Sequence, residues 1–317
     1  MKKNKKFIKK IIGKAELLIS DKSVGDERYS DGSVEDKMLT FFKGNPTASD
    51  VEDILKNNPS WPERYHYSDV RENLLSWYNF KRDTSLLEVG SGCGAITGLF
   101  CRSVKSVTAV ELTYRRALIT AHRHQDCRNL KVISGDIKDA DMNEKFDYIT
   151  SIGVLEYAGI FSESLDPFNE FLETLNSKLK ESGTLILAIE NKFGLKYWSG
   201  CREDHTGRLF DSIEGYSSQK KKQTFGYDEL KRLIVSSGFN EPEFYYPMPD
   251  YKMPMEIFSD KYLPTLEHNI SPSNFPFEDY GGRKVMLFKE RMVMDNIIKN
   301  KQFPFFANSF LIFATKR

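Results

Sequence analysis

Cysteine is scarce. The 317 residues hold four, Cys93, Cys101, Cys127 and Cys201, with no paired ligand spacing. That excludes a disulfide framework and a paired-cysteine metal site, and it fits reduced thiols in a cytoplasmic protein. Net charge is almost absent at +1, so no global field draws the chain to nucleic acid. No apolar run reaches 18 residues, which excludes a membrane-crossing helix read from hydropathy. The lysines at the start are not followed by an apolar core long enough for a signal peptide. What remains is ordinary for a globular chain, with 40% hydrophobic and 29% charged residues. The length suits one large domain or two smaller ones.

The evenness breaks at the N-terminus. Met1–Lys14 carries seven lysines and no acidic residue. Phe7, Ile8, Ile11, Ile12, Ala15 and Leu18 share one face at helical spacing. A basic amphipathic helix of this kind can lie on the anionic inner face of a membrane, and a frayed solvated tail explains the same residues. Residues 19–62 are polar and broken by glycine and proline. Tyr29-Ser30-Asp31-Gly32 reads as a turn, and Ser49 or Asp50 is placed to cap a short helix through Leu55. The segment reads as an extension that covers the main domain without a core of its own.

Leu86-Leu87-Glu88-Val89-Gly90-Ser91-Gly92-Cys93-Gly94-Ala95 organises the rest. A short apolar run feeds alternate glycines and then a helical pattern, hence strand, tight turn, helix. Glycine lets the backbone turn sharply and approach a ligand closely. Gly90, Gly92 and Ala95 fit a dinucleotide fingerprint. Gly90, Gly92 and Gly94 equally fit the E-x-G-x-G-x-G turn of class I methyltransferases, and a ligand-free connection fits too. Before this turn, Ser68 is placed to cap a helix carrying Val70, Leu74, Leu75, Trp77 and Tyr78 inward.

Beyond it the pattern alternates strand and helix. Strands are expected at Ser85–Val89, Ser106–Glu111, Asn129–Ser134, Phe146–Ile152, Thr184–Ile189, Glu243–Tyr246 and Ser309–Thr315. Helices are expected at Ala95–Arg102, Tyr114–His124, Pro167–Lys180 (stopped by Gly183) and Tyr227–Ser237. This is an α/β chain with two long interruptions, 192–226 and 248–307. Glu111 ends the second strand, where a carboxylate can accept hydrogen bonds from both ribose hydroxyls of an adenosine ligand.

With these residues in order, the sequence resembles a class I S-adenosylmethionine-dependent methyltransferase. The resemblance rests on Glu88-Val89-Gly90-Ser91-Gly92-Cys93-Gly94, Glu111, Gly135-Asp136-Ile137 and Phe146-Asp147-Tyr148-Ile149, and it covers about residues 64–247 plus the final strand. The strings Ile152–Tyr157, Ala188–Tyr197 and Glu203–Gly207 resemble a bacterial subgroup associated with glycosyltransferases of surface-polysaccharide synthesis. The resemblance implies a Rossmann-like sheet of seven strands, order 3-2-1-4-5-7-6, with strand seven antiparallel. The domain would span 63–317, after an N-terminal extension of residues 1–62. It also implies S-adenosylmethionine, with S-adenosylhomocysteine as product, and no metal.

By position, Gly90, Ser91, Gly92 and Gly94 would line the methionine part of that cofactor, and Glu88 would help hold its amino group. Glu111, with Leu112 beside it, would bind the ribose. Asp136 and Ile137 would flank the adenine, and Ile152 and Gly153 would sit by the sulfonium.

Methyl transfer to a hydroxyl also needs a base. Of five histidines, His122 and His124 read as surface residues of a basic helix. His205, within Glu203-Asp204-His205-Thr206-Gly207, is the candidate base, with Asp204 as a neighbouring carboxylate to orient it. Glu156 is the alternative. Each has a plain structural reading as well, His205 in a turn and Glu156 at a helix start. Tyr197, Trp198, Tyr216, Tyr245, Tyr246 and Tyr251 suit a sugar ring or a core. Phe168 and Phe171 read as core, and Lys220-Lys221-Lys222 as a solvated loop or a phosphate contact. The expected reaction is O-methylation of a sugar hydroxyl in a surface glycan or its precursor, with glycosyltransferases as partners and no nucleic acid. The rivals are a small-molecule acceptor, RNA, a non-catalytic cofactor-binding scaffold and an NAD enzyme.

Overall fold

The computed structural model describes residues 7–20, 30–138, 144–216, 221–268, 279, 285 and 287–317. Tyr29, Lys220 and the first six residues lie outside this set. The chain forms two compact units, Met1–Thr150 and Ser151–Arg317.

The first unit opens with a hairpin of β1 (Phe7–Ile12) and β2 (Ala15–Ser20), paired antiparallel from Phe7↔Ser20 to Ile12↔Ala15. The helix expected there is not formed. In β2 the period is two: Ala15, Leu17 and Ile19 are buried while Glu16 and Leu18 are partly exposed. Four isoleucines favour extended backbone because β-branching restricts their side chains in a helix. Gly13, at φ +59°, supplies the left-handed turn between the strands. The hairpin then joins the sheet, with β2 parallel to β5 (Leu130–Ser134). The expected amphipathic helix is thereby overturned.

Three helices follow, α1 (Ser33–Lys43), α2 (Ala48–Lys56) and α3 (Trp61–Tyr67). Thr47, not Ser49, caps α2, and Asp50 returns a bond to the Thr47 backbone. Ser60 and Glu63 close the same reciprocal cap on α3. The helix expected after Ser68 is only a 3₁₀ turn, Asp69–Leu74, which Ser68 caps by accepting from Val70 N. The extension shares its core with the domain: Met38, Phe42 and Tyr67 pack with Cys93 and Ile119.

The strand β3 (Ser85–Val89) is buried at every residue, as a central parallel strand should be. Then come α4 (Thr97–Ser103), β4 (Ser106–Glu111), α5 (Tyr114–Arg123), β5 and β6 (Phe146–Ile152), in which the chain passes into the second unit. Strand order in the first unit is β1-β2-β5-β4-β3-β6. β3, β4 and β5 run parallel, so their carboxyl ends gather on one edge.

The second unit contains α6 (Pro167–Lys178), β7 (Leu179–Glu190), α7 (Leu195–Trp198), α8 (Tyr227–Ser236), β8 (Glu243–Met248), β9 (Glu256–Ser259), α9 (Glu290–Lys299), α10 (Phe303–Phe306) and β10 (Ser309–Thr315). Gly183 does not stop α6. The helix ends at Lys178, and Gly183 is buried inside β7 beside Ser182, which takes φ +59°. Strand order here is β7-β10-β8-β9, with β10 antiparallel to both neighbours. The seven strands implied by the resemblance are ten. Residues 7–20 and Glu256–Ser259 form three strands that the sequence reading had placed in a tail and an insertion.

The hairpin makes a direct prediction. Leu17→Ala removes a fully buried side chain and should cost about 2–5 kcal/mol of unfolding free energy. Leu18→Ala should cost clearly less. Equal losses in denaturant melts would contradict the strand register.

Candidate functional site

The carboxyl edge of β3, β4 and β5 builds a cradle in the first unit. Glu88 is buried near the end of β3, where its Oε2 accepts a bond from Thr97 Oγ1 at 2.6 Å. The turn follows with Gly90, Gly92 and Gly94 all at positive φ, which only glycine adopts freely. Gly90 N and Ser91 N donate to Val110 O, tying the turn to β4. From α5, Thr120 Oγ1 donates to Gly92 O at 2.9 Å, and His124 Nε2 sits 2.7 Å from Gly94 O.

His124 is therefore no surface residue. The helix ends at Arg123, and the next side chain folds under the turn. Burial, aided by the Arg123 cation, pushes its pKa down to about 3, so the ring is neutral and Nε2–H donates to the carbonyl.

Glu111 closes β4 and is buried. Its Oε2 accepts from Gly92 N at 2.9 Å, and its Oε1 accepts from Thr113 N and Oγ1 at 3.0 and 3.2 Å. Oε1 is filled by its two bonds, and Oε2 keeps one lone-pair site for a ligand hydroxyl. Leu112 is half-buried beside it. Asp136 stands half-buried after β5, bonded to Lys138 N at 2.7 Å, and Ile137 is buried next to it.

Three observations test the fit of an adenosine cofactor. A Cβ placed on Gly92 meets nothing within 4 Å, so open space lies against the backbone of the turn. Ser91 Oγ and Ser134 Oγ are buried and have no partner among the described residues. Burial, with Glu111 nearby, raises the Glu88 carboxyl to about 7, and a ligand cation would draw it back to the ionised form. The residues fit.

The second unit carries a different constellation. After Gly153 a 3₁₀ turn, Leu155–Tyr157, presents Glu156 and Tyr157. The end of β7 presents Glu190. A loop after α7 presents Glu203, Asp204 and His205, and the stretch after β8 presents Asp250, Tyr251 and Lys252. Glu190 is fully buried. Its Oε1 receives Lys252 Nζ and, at 3.2 Å, Tyr251 OH. Its Oε2 lies 3.3 Å from His205 Nε2. The other imidazole nitrogen, Nδ1, is 3.0 Å from Tyr157 OH.

Asp204 does not touch His205 through its carboxylate. It holds Lys252 at 2.6 Å and Lys196 at 2.8 Å, so the carboxylate on the imidazole is Glu190. Glu203 shapes the loop, accepting from His205 N, Thr206 N and Tyr216 OH.

These charges set one another. Burial would raise Glu190, but Lys252 and His205 hold it well below the usual carboxylate range. Burial would lower His205, yet Glu190, Glu156 and Glu203 raise it to about 9. Glu156 is pushed up to about 8 by burial and by Glu190. Its Oε2 has no partner among the described residues, and a Cβ on Gly153 would lie 3.6 Å from its Oε1 and 2.8 Å from Tyr251 OH. Gly153, at φ +70°, thus stands against the cluster without crowding it; Ile152 precedes it, half-buried. Glu156, Glu190 and His205 hold donor atoms within 4.8 Å of one another, but Lys252 already brings a positive charge to Glu190.

The expected sugar platform is mostly interior. Tyr197, Tyr216, Tyr246 and Tyr251 are buried, and Tyr216 and Tyr246 spend their hydroxyls on Glu203 and Asp260. Trp198 alone of the set is clearly exposed. Lys222 Nζ lies 5.6 Å from the Tyr157 ring centroid. Glu190, Lys252 and Tyr157 were not singled out from the sequence. Their partners stand up to 62 residues away, and the only available signal was the clustering of ionisable residues in otherwise apolar strings.

Comparison with known proteins adds a family. The profile described as a methyltransferase domain matches residues 62–240, more than half of the chain. A ribosomal RNA small subunit methyltransferase A of Syntrophus aciditrophicus is 30% identical over 84 residues, 26% of this chain and 28% of that protein. The chain therefore spans little more than a quarter of that relative. A malonyl-[acyl-carrier protein] O-methyltransferase of Priestia megaterium is 24% identical over 63% of this chain and 71% of its own length. Among solved structures, a SAM-dependent methyltransferase from Archaeoglobus fulgidus is 15% identical, with a TM-score of 0.49 over 81% of this chain and 98% of that one.

Two outcomes are expected of the cradle. Glu111→Ala should weaken S-adenosylhomocysteine binding about 10- to 100-fold in calorimetry, as loss of charge-assisted hydrogen bonds predicts, while NAD binds neither protein. Between pH 6 and 7.5, S-adenosylhomocysteine affinity should rise, because a ligand ammonium favours ionised Glu88 and binding then releases its proton. Glu88→Gln should flatten that rise; an unchanged slope would remove Glu88 from the amino-group contact.

Proposed function

The chain belongs to the methyltransferase-domain family, and on that premise we propose that it takes its methyl group from S-adenosylmethionine and methylates a hydroxyl of a sugar in a bacterial surface glycan or its precursor. The observation that carries the hydroxyl reading is the buried proton-handling cluster of Glu156, Glu190 and His205. A free amine or an ionised carboxylate attacks without a base. A hydroxyl does not, because it stays protonated at neutral pH. The glycan reading is supported by the strings around Ile152–Tyr157, Ala188–Tyr197 and Glu203–Gly207, which resemble the polysaccharide-associated subgroup.

Roles follow from chemistry. Bound in the cradle, the cofactor supplies an electrophilic methyl group. Gly90, Ser91, Gly92 and Gly94 hold its amino-acid part with Glu88, Glu111 and Leu112 its ribose, and Asp136 and Ile137 its adenine. Ile152 and Gly153 flank the reacting centre. His205 is the store for the acceptor's proton, Glu190 orients it, and Glu156 shares its charge. Asp204 acts at one remove, by holding Lys252. Alignment is the main demand on such a displacement. Functionally, residues 30–62 serve as a cover, and 63–317, with the strands of residues 7–20 added to the sheet, form the catalytic body with acceptor selection in 192–226 and 248–307. A small-molecule hydroxyl or carboxyl acceptor is the second reading, favoured by the relative whose name states O-methylation.

The test is transfer of radiolabelled methyl to a panel of p-nitrophenyl glycosides, an aminosugar glycoside and a malonyl thioester. Label should appear on hydroxyl glycosides. The rate should climb between pH 7 and 9, since the receiving form is the deprotonated one and its fraction grows as pH approaches the raised values of Glu156 and His205. His205→Gln should lower turnover about 100-fold or more. Label confined to the amine or the thioester carboxylate would reject the hydroxyl reading.

A further inference from the structure

We propose that Tyr157 is the catalytic residue that meets the acceptor hydroxyl, and that His205 and Glu190 form a positioning relay behind it. This rests on the hydroxyl-acceptor reading above. His205 cannot reach an acceptor itself. Its side chain is only 5% exposed, and both ring nitrogens are engaged, Nε2 by Glu190 and Nδ1 by Tyr157 OH. Glu190 is fully buried behind the ring. His205 and Tyr157 are both half-buried as whole residues, but the His205 side chain is closed off and both its nitrogens are spent, so the tyrosine is the outer end of the line Glu190···His205···Tyr157. Its ring meets the imidazole edge to face at 5.2 Å between centroids.

The geometry is that of an orienting carboxylate, an imidazole and a hydroxyl nucleophile or base, each within reach of the next. Glu190 fixes one face of the imidazole, so Nδ1 points at the phenol. The charged groups facing the imidazole are Glu190 from β7, Glu156 from the 3₁₀ turn and Glu203 from its own loop. Lys252 offsets Glu190, and Lys222 Nζ stands over the Tyr157 ring, where a cation is attracted to the ring face.

In the receptive form Nδ1 is unprotonated and accepts the Tyr157 O–H. The acceptor's O–H proton passes to the Tyr157 oxygen as the phenol proton passes to Nδ1. The acceptor oxygen forms its bond to the methyl carbon, and the carbon–sulfur electron pair stays on sulfur. The proton count closes with imidazolium between Glu190 and a neutral Tyr157, and solvent later removes the proton.

Tyr157→Phe keeps the ring and deletes the hydroxyl. With the p-nitrophenyl glycoside panel, this variant should lose about 100-fold or more in kcat. KM and calorimetric S-adenosylhomocysteine affinity should stay within about twofold, and the rise in rate between pH 7 and 9 should vanish. Turnover within about threefold of the parent, on the parent's pH profile, overturns the proposal. A second arm needs no acceptor. Imidazole ¹⁵N NMR of the full chain, with the His205 signals identified by His205→Gln, follows titration in parent and Tyr157→Phe. Loss of the phenol oxygen that accepts from Nδ1–H should lower the His205 midpoint by half a pH unit or more. An unmoved midpoint overturns the relay. If the parent methylates no glycoside hydroxyl, the hydroxyl-acceptor function fails by itself, and the NMR arm still decides the relay.

Discussion

A carboxylate with no exposed surface sits at the end of β7, and the chemistry of the second unit depends on keeping it ionised. An isolated buried charge of this kind would cost several kcal/mol and would take up a proton instead. Glu190 avoids that by gathering Lys252 and Tyr251 on one oxygen and His205 on the other. Lys252 in turn needs Asp204, and Asp204 is shared with Lys196. One desolvated charge thus dictates the placement of five further ionisable side chains from three segments. The imidazole is held charged and aimed as a consequence, and its Nδ1 meets the Tyr157 hydroxyl.

The cradle of the first unit follows the opposite logic. Its polar groups are only partly satisfied by the protein. Glu111 is oriented by three donors and still has capacity, while the Ser91 and Ser134 hydroxyls are buried with no partner among the described residues. Buried polar atoms are rarely left this way unless a ligand or water completes them. The turn itself is rigid, pinned by β4 from below and by Thr120 and His124 from α5. A pre-shaped backbone with unspent hydrogen bonds is what a cofactor site requires, and binding then costs little ordering.

The extension at residues 30–67 shows how a segment with no core of its own becomes part of a domain. Arg116 and Arg115 of α5 bond to Glu35, and Arg116 also reaches Asp31, which bonds His66. Burial keeps His66 below its ordinary pKa despite that carboxylate. Beneath the charges, α1 and α3 bury Met38, Phe42 and Tyr67 against Cys93 and Ile119. The packing and the ion pairs fall on the helix that immediately follows Glu111, so the extension steadies the element that carries the cradle.

Much of this was legible in the residues alone. Strands β3, β4, β6 and β10 match their expected bounds because each is a short stretch rich in apolar and β-branched residues, and central buried strands favour that composition. The glycine turn and Glu111 were legible because the needed backbone angles and strand-end carboxylate are local properties. The N-terminal hairpin was not. FIKKII and AELLIS satisfy helical and extended spacing together, and pairing with β5, 115 residues along the chain by register Glu16↔Lys131, decides between them. The cluster around Glu190 was hidden for the same reason. Sequence determined which residue types could carry charge and which strands would end beside a ligand. Only the tertiary structure decided that Lys252 meets Glu190, that Glu190 rather than Asp204 meets His205, and that Tyr157 stands at the end of the line. Those choices turn on which distant side chains are desolvated together, and desolvation is a property of packing, not of spacing.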